Sequence, residues 1–134
     1  MSRRDSSDER WVDIRNRVHK RDKDRCRLMH ILTEKEILIL RKRAGYKLNK
    51  LDVAHFLPVS ERPDLCYDIN NVCLLNRYSH EMLDSFRDPI TGAHISRDET
   101  FEWWIRILSA NKKQYMALFQ AGLLDEEVIY EYAK

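Results

Sequence analysis

Residues Leu51–Phe86 read LDVAHFLPVSERPDLCYDINNVCLLNRYSHEMLDSF, and this stretch decides the fold that we expect. Its first part, Leu51–Leu57, is mostly apolar and ends before a proline, which predicts a β-strand. Residues 59–70 hold Ser, Pro, Asp and Asn and predict a loop. A second apolar run, Val72–Leu75, predicts another strand, and Arg77–Phe86 follows it with a short helical pattern. The stretch therefore predicts strand, loop, strand and helix in that order.

Two helices are predicted before this stretch. Acidic residues follow Ser7, as they do at many helix starts, and an apolar stripe then recurs at helical spacing. This stripe consists of Trp11, Ile14 and Val18. The sequence TEKE at Thr33–Glu36 fits a capping box that opens the second helix, and Gly45 is well placed to cap its end. The unbroken apolar run Ile37–Leu40 leaves a strand open there, and Arg25–Met29 predicts a short extended piece.

More helices are predicted after a turn at Asp88–Gly92. The first has apolar residues at the spacing i, i+3, i+4 and i+7, and the second continues the pattern until Gly122. Their apolar positions are Phe101, Trp104, Ile105 and Leu108 in the first, and Tyr115, Leu118 and Phe119 in the second. We expect these aromatic side chains in the core. Residues Asp125–Tyr132 predict a last, acidic helix.

The composition predicts a soluble globular protein, and the predicted elements make it a mainly helical α+β protein. A chain of 134 residues, 43% hydrophobic and 34% charged, predicts one domain, 1–134, without a membrane span. We divide it into basic N-terminal helices (1–50), a strand–strand–helix core (51–87) and C-terminal helices (98–134). Three cysteines without a CxxC pair, and no visible secretion signal, predict reduced thiols and a cytoplasmic location.

Charge is distributed unevenly along the chain. Residues 1–50 contain 16 Lys and Arg against 8 Asp and Glu, whereas residues 51–134 contain 8 against 14. A basic first third suits a polyanion such as nucleic acid. Solvated helices rich in Arg and Lys would give the same count, so charge alone leaves both interpretations open.

Three polar residues are placed by the predicted elements for hydrolysis of a phosphodiester. His55 lies on or just after the first strand, Asn71 starts the second, and His80 lies on the helix. Hydrolysis needs a base to deprotonate water, and a neutral imidazole can accept a proton at cellular pH. It also needs a cation that stabilises charge at phosphorus, which a divalent ion held by imidazole would supply.

These residues also resemble a known family. The sequences AHFLP, NNV and HEMLD are similar to the H–N–H pattern of HNH endonucleases, which share the ββα-metal motif. The resemblance covers roughly residues 10–92 and implies a ββα-metal motif within the helical domain. It implies His55 as general base, Asn71 as the brace of the loop, with Asn70 the weaker candidate, and His80 as metal ligand. It further implies 5′-phosphate and 3′-hydroxyl product ends.

One departure concerns the metal ligands. Many family members have Asp or His directly before the base histidine, but here that position is Ala54. Asp84 is four residues after His80 and shares its helix face, so we expect it to be the second ligand. Asp52, two residues before Ala54 on the first strand, is the alternative. The cofactor implied is one divalent ion, Mg²⁺, Mn²⁺, Ni²⁺ or Zn²⁺.

A second departure concerns structural zinc. Many HNH proteins carry two CxxC pairs around the motif. Here the first pair is reduced to Cys26 with His30, and Asn76 and Ser79 occupy the places of the second. We therefore expect no structural zinc site. Cys73 is instead expected to be a small buried hydrophobe.

The partner implied is DNA, bound without strong sequence specificity by a monomer or homodimer. The predicted phosphate contacts are Arg15, Arg21, Arg62 and Arg77. The resemblance is also compatible with work beside the packaging machinery of phages or other mobile elements. The alternative function is a nucleic-acid-binding or assembly module on a degenerate HNH scaffold without catalysis, and Ala54 is its main support.

Overall fold

The computed structural model describes residues 8–124. Its α-helices are α1 (Glu9–Arg21), α2 (Glu34–Ala44), α3 (Arg77–Asp84), α4 (Arg97–Ser109) and α5 (Lys112–Gln120). Its strands are β1 (Leu51–His55) and β2 (Val72–Asn76), which pair antiparallel. Short 3₁₀ turns lie at Arg27–His30, Gly45–Asn49, Pro63–Leu65 and Ile69–Asn71. This mixture of helices with a small sheet confirms the coarse form of the predicted α+β class.

Local signals define the ends of the first two helices. The Asp8 carboxylate caps α1 by accepting hydrogen bonds from the backbone N–H groups of Arg10 and Trp11. Helix α2 begins with the predicted capping box, in which Thr33 and Glu36 each bond the backbone of the other. Gly45 ends α2 at a φ of +56°, a conformation that favours glycine. The predicted helix over Ile37–Leu40 is confirmed, and the alternative of a strand there is wrong.

Two predicted boundaries and one predicted element differ from the structure. Strand β1 ends at His55 and not at Leu57, because the Leu57 backbone bonds the Asn71 side chain instead of a strand. Helix α3 ends at Asp84 because Phe86 has a positive φ of 55°, which no α-helix accommodates. The predicted extended piece at Arg25–Met29 is largely a 3₁₀ turn. The predicted acidic helix over 125–132 lies outside the described residues.

Both faces of the sheet are covered, which explains the continuous apolar run of β2. On one face Ala54, Cys73 and Leu75 join the larger core with α4 and α5. On the other face Val72 and Leu74 pack against α1. Every residue of β2 is consequently buried.

The outer edge of β2 is closed by side chains in place of a third strand. The Asp22 carboxylate accepts from Leu74 N–H at 2.9 Å, and the Cys26 sulfur accepts from Asn76 N–H at 3.1 Å. Arg21 and Gln114 both donate to the carbonyl oxygen of Val72, at 2.6 and 3.0 Å. These bonds satisfy backbone groups that would otherwise be buried without partners.

The C-terminal helices supply most of the larger core. Helix α4 buries Trp103, Trp104, Ile107 and Leu108, so its buried face is broader than the predicted stripe. Leu118 is buried in α5, but Phe119 is 63% exposed, which makes its predicted core position wrong. Among residues 8–124, no helix has the length and apolar character needed to cross a membrane.

Candidate active site

His55 stands at the end of β1, where the chain leaves the sheet. Its Nε2 lies 3.0 Å from the carbonyl oxygen of Cys66, and its ring stacks on Trp11 with 5.8 Å between centroids. A carbonyl oxygen can only accept a hydrogen bond, so Nε2 carries the proton in this arrangement. The nitrogen that can accept a proton from water is therefore Nδ1.

Asn71 is fully buried and joins the two ends of the loop between the strands. Its amide oxygen accepts from Leu57 N–H at 2.8 Å. Its amide nitrogen donates to the carbonyl oxygens of Leu57, at 3.0 Å, and Leu65, at 3.2 Å. These contacts brace the loop that carries Cys66, and through it the ring of His55. The side chain of the weaker candidate, Asn70, makes no comparable contacts among residues 8–124.

His80 lies on α3 between two carboxylates. Its Nδ1 donates to Asp52 Oδ2 at 3.0 Å, and its Nε2 lies 3.3 Å from Asp84 Oδ2. Asp52 also accepts from Arg77 at 3.1 Å. The structure thus brings both predicted carboxylates to His80, but against different ring nitrogens. Asp84 lies beside Nε2, whereas Asp52 accepts a hydrogen bond from Nδ1.

The two carboxyl groups differ in their electrostatic environment. Desolvation acts to raise the pKa of Asp52, but the contacts with His80 and Arg77 outweigh it and hold that pKa below its usual value. Desolvation raises the pKa of Asp84 above its usual value, and the charge of Asp52 acts in the same direction. The side chain of Asp84 is 64% exposed against 20% for Asp52, so Asp84 is the carboxylate that a cation from solvent can reach more readily.

A cavity of about 120 Å³ connects His55 with Asp84. It lies between the end of β1, the end of α3 and the start of α4. The sequence interpretation missed three polar residues that also line it, Glu61, Arg97 and Thr100. No local pattern marks them, because Arg97 and Thr100 look like ordinary first-turn residues of a helix. Only the packing of α4 against the loop brings them to His55.

The four arginines predicted to contact phosphate are placed differently from one another. Arg21 donates to the carbonyl oxygens of Ile69 and Val72 and pairs with Asp22, so its donors serve the fold. Arg62 pairs with Asp64 at 2.7 Å, and Arg77 pairs with Asp52. Arg15 is half-exposed on α1. Of these residues, Arg77 is directly joined to the polar cluster around His80.

Most of the residues that depart from the HNH pattern lie in the buried part of the structure. Ala54 is fully buried and pairs with Cys73 in the sheet. Its methyl side chain has no atom that can bind a metal. Cys26 and Asn76 touch, since the Asn76 amide donates to the Cys26 sulfur at 3.3 Å. Ser79, whose backbone N–H bonds Asn76, is buried beside them. Cys73 is fully buried as expected, and desolvation raises the pKa of its thiol to about 12.

His80 Nε2 and Asp84 Oδ2 fit a divalent ion by chemistry and by proximity. An imidazole with a carboxylate suits Zn²⁺, Mn²⁺, Ni²⁺ or Mg²⁺. Two protein donors leave coordination positions for water and a phosphate oxygen, as is usual at sites where Mg²⁺ meets a phosphate. The part of the chain that the structure describes holds no group of three or more His, Cys, Asp or Glu side chains placed around one ion.

No protein-family model, curated protein or solved structure matches this chain. The geometry around His55 and His80, together with the residue pattern, is the basis for a functional inference.

Proposed function

We propose that this protein is a metal-dependent endonuclease of the HNH type that hydrolyses phosphodiester bonds of DNA. The observation that supports it best is one cavity lined by both His55 and Asp84, with Asp84 also 3.3 Å from His80 Nε2. A base and one member of a metal-binding pair that line the same small cavity suit a one-metal hydrolysis.

His55 is the general base in this proposal. Nδ1 takes a proton from a water molecule, whose oxygen forms a bond to phosphorus as the bond from phosphorus to the 3′ oxygen breaks. The departing 3′ oxygen takes a proton from solvent. The carbonyl oxygen of Cys66 holds Nε2–H and keeps Nδ1 basic. The Trp11 stack and the Asn71 brace keep the ring in one orientation.

His80 Nε2 and Asp84 would hold the divalent ion. When bound, such an ion supplies Lewis acidity to the phosphate and stabilises negative charge on the leaving oxygen. Asp52 acts through His80: it accepts a hydrogen bond from Nδ1–H and so leaves the lone pair of Nε2 available to the ion. Arg77 in turn orients Asp52.

The first test is nicking of supercoiled plasmid with EDTA, Mg²⁺, Mn²⁺, Ni²⁺ or Zn²⁺. We expect metal-dependent nicking that His55→Ala lowers by about 100-fold or more, because general-base catalysis contributes at least that much. DNA affinity should remain nearly unchanged. His30→Ala, an exposed histidine away from the cavity, is the matched control.

Equal loss of cleavage and DNA affinity in His55→Ala would contradict the assignment of His55 as base.

A second candidate function has one observation in its favour. Ala54, where many HNH proteins carry a ligand, is buried in the core and cannot donate to an ion. A binding or assembly module without catalysis would tolerate that residue. DNA binding that persists in EDTA, with no nicking in any metal, would favour this function over the nuclease.

A further inference from the structure

The cavity beside His55 contains one arginine and no lysine among its described lining residues. The arginine is Arg97, the first residue of α4. The other ionisable members are His55, Asp84 and Glu61. A phosphate brought next to His55 therefore meets two carboxylates and needs a cation from the protein as well as one from a metal. Arginine suits this task because its planar donors match phosphate oxygens in pairs.

Two of the contacts of Arg97 are with residues that also line the cavity. Its guanidinium carbon lies 5.6 Å from the ring centroid of Phe86, and its Nη2 lies 3.9 Å from Glu61 Oε1. The second distance is too long for a hydrogen bond. The side chain of Arg97 is 41% exposed and that of Glu61 is 26% exposed, and ion pairs with such access to water contribute little. A phosphate can therefore replace Glu61 as a partner of Arg97.

We propose that Arg97 is the residue that positions the scissile phosphate beside His55, and that Glu61 is one of its partners in the free protein. On DNA binding the guanidinium moves from the Glu61 carboxylate to a phosphate oxygen. The inference rests on the proposed function, since it takes a DNA phosphate as the occupant of the cavity. Glu61 then competes with DNA for Arg97, so the two residues have opposite effects on affinity.

DNA affinity in EDTA tests the inference without any contribution from cleavage. The probe is a short fluorescein-labelled DNA duplex, titrated by anisotropy at several salt concentrations. We expect Arg97→Gln to weaken binding by about tenfold, as loss of a hydrogen bond to a charged group would. It should also reduce the salt slope by about one, and Arg97→Lys should restore that slope.

Arg106→Gln is the matched control, because Arg106 lies on the same helix with its guanidinium over Trp103, outside the cavity lining. Equal effects of Arg97→Gln and Arg106→Gln on affinity and salt slope would overturn the inference, since any positive charge on α4 would then serve.

Glu61→Gln provides the opposite change. We expect it to tighten DNA binding by about two- to fivefold, the range for release of a partly exposed ion pair. Glu102→Gln, on the exposed side of α4, removes the same charge away from the cavity. The gain from Glu61→Gln should vanish in the Arg97→Gln background, because Glu61 acts through that arginine. The same gain in both backgrounds would overturn the proposed competition.

These outcomes separate the inference from the function on which it rests. If His55→Ala abolishes metal-dependent nicking while Arg97→Gln behaves like Arg106→Gln, the nuclease stands and the role of Arg97 falls. If no metal supports nicking but Arg97→Gln selectively weakens binding, the nuclease falls and Arg97 remains a phosphate contact.

Discussion

At the scale of single residues, His80 shows how two similar carboxylates acquire different tasks. Asp52 and Asp84 approach opposite nitrogens of one imidazole ring. A histidine that binds metal through one nitrogen usually donates the proton of the other to a carboxylate or carbonyl. Asp52, anchored by Arg77, has that position. Asp84 is left as the carboxylate beside the nitrogen that would face the ion.

We expect Asp52→Ala to change the tautomer of His80 in the free protein. With Asp52 present, the neutral ring carries its proton on Nδ1; without it, that preference is lost. Zn²⁺ affinity should fall by about 10- to 100-fold, the usual effect of removing such a partner. Nitrogen-15 NMR of the imidazole at pH 8 and calorimetric Zn²⁺ titration measure the two effects.

Asp52→Asn is the control, because its amide oxygen can still accept a hydrogen bond from Nδ1–H of His80. An unchanged tautomer and unchanged Zn²⁺ affinity in Asp52→Ala would show that Asp52 does not orient His80.

At the scale of elements, the helix ends follow from neighbouring residues. Helix α2 is the clearest example, since Thr33 and Glu36 close a capping box at one end and Gly45 turns the chain at the other. The end of β1 depends instead on a contact with a residue distant in sequence, and the end of α3 depends on the positive φ of Phe86. The backbone N–H of Leu57 donates to the side chain of Asn71, 14 residues further along the chain, instead of pairing with a strand.

We predict that Thr33→Ala lowers the free energy of unfolding by about 1 kcal/mol, because the N–H of Glu36 loses its side-chain acceptor. Urea denaturation followed by circular dichroism measures this change.

Thr33→Ser keeps the hydroxyl and should retain most of the stability. A Ser variant as destabilised as the Ala variant would mean that packing of the Thr33 methyl group, and not the cap, carries the effect.

At the scale of the whole molecule, a buried ionic cluster joins three parts of the chain. Asp22 pairs with Arg21 and Arg27, Arg27 donates to Gln114 of α5, and Asp22 and Gln114 both bond β2. Desolvation acts to raise the pKa of Asp22, but its hydrogen bonds and the two guanidinium charges hold that pKa below its usual value. The cluster thus connects the sheet edge to the segment around the end of α1 and to α5.

We expect Asp22→Asn to lower the free energy of unfolding at pH 7 by about 3 kcal/mol, because it leaves buried arginine charge unpaired. The folded-state pKa of Asp22 is depressed, so its contribution is present above the ordinary carboxyl pKa of about 4 and is lost as pH falls through the lower value. The difference in the free energy of unfolding between wild type and Asp22→Asn should therefore become smaller in acid. Chemical denaturation between pH 7 and pH 2.5 measures it.

Asp13→Asn removes an exposed charge from α1 and is the control. A constant difference between wild type and Asp22→Asn across this pH range would contradict the role of the Asp22 charge.

By itself the sequence determined the order of the elements, the caps of α2, burial of Cys73 and the grouping of His55, Asn71 and His80 as site candidates. The elements and caps depend on residues a few positions apart, whose spacing and backbone preferences act locally, and the site candidates follow from the order of those elements. Only the tertiary structure decided that Arg21 closes a sheet edge, that Asp52 meets Nδ1 of His80, and that Arg97 lines the cavity. Each of the latter depends on contacts between segments distant in sequence, and the free energy that selects such contacts comes from burying the surfaces between those segments.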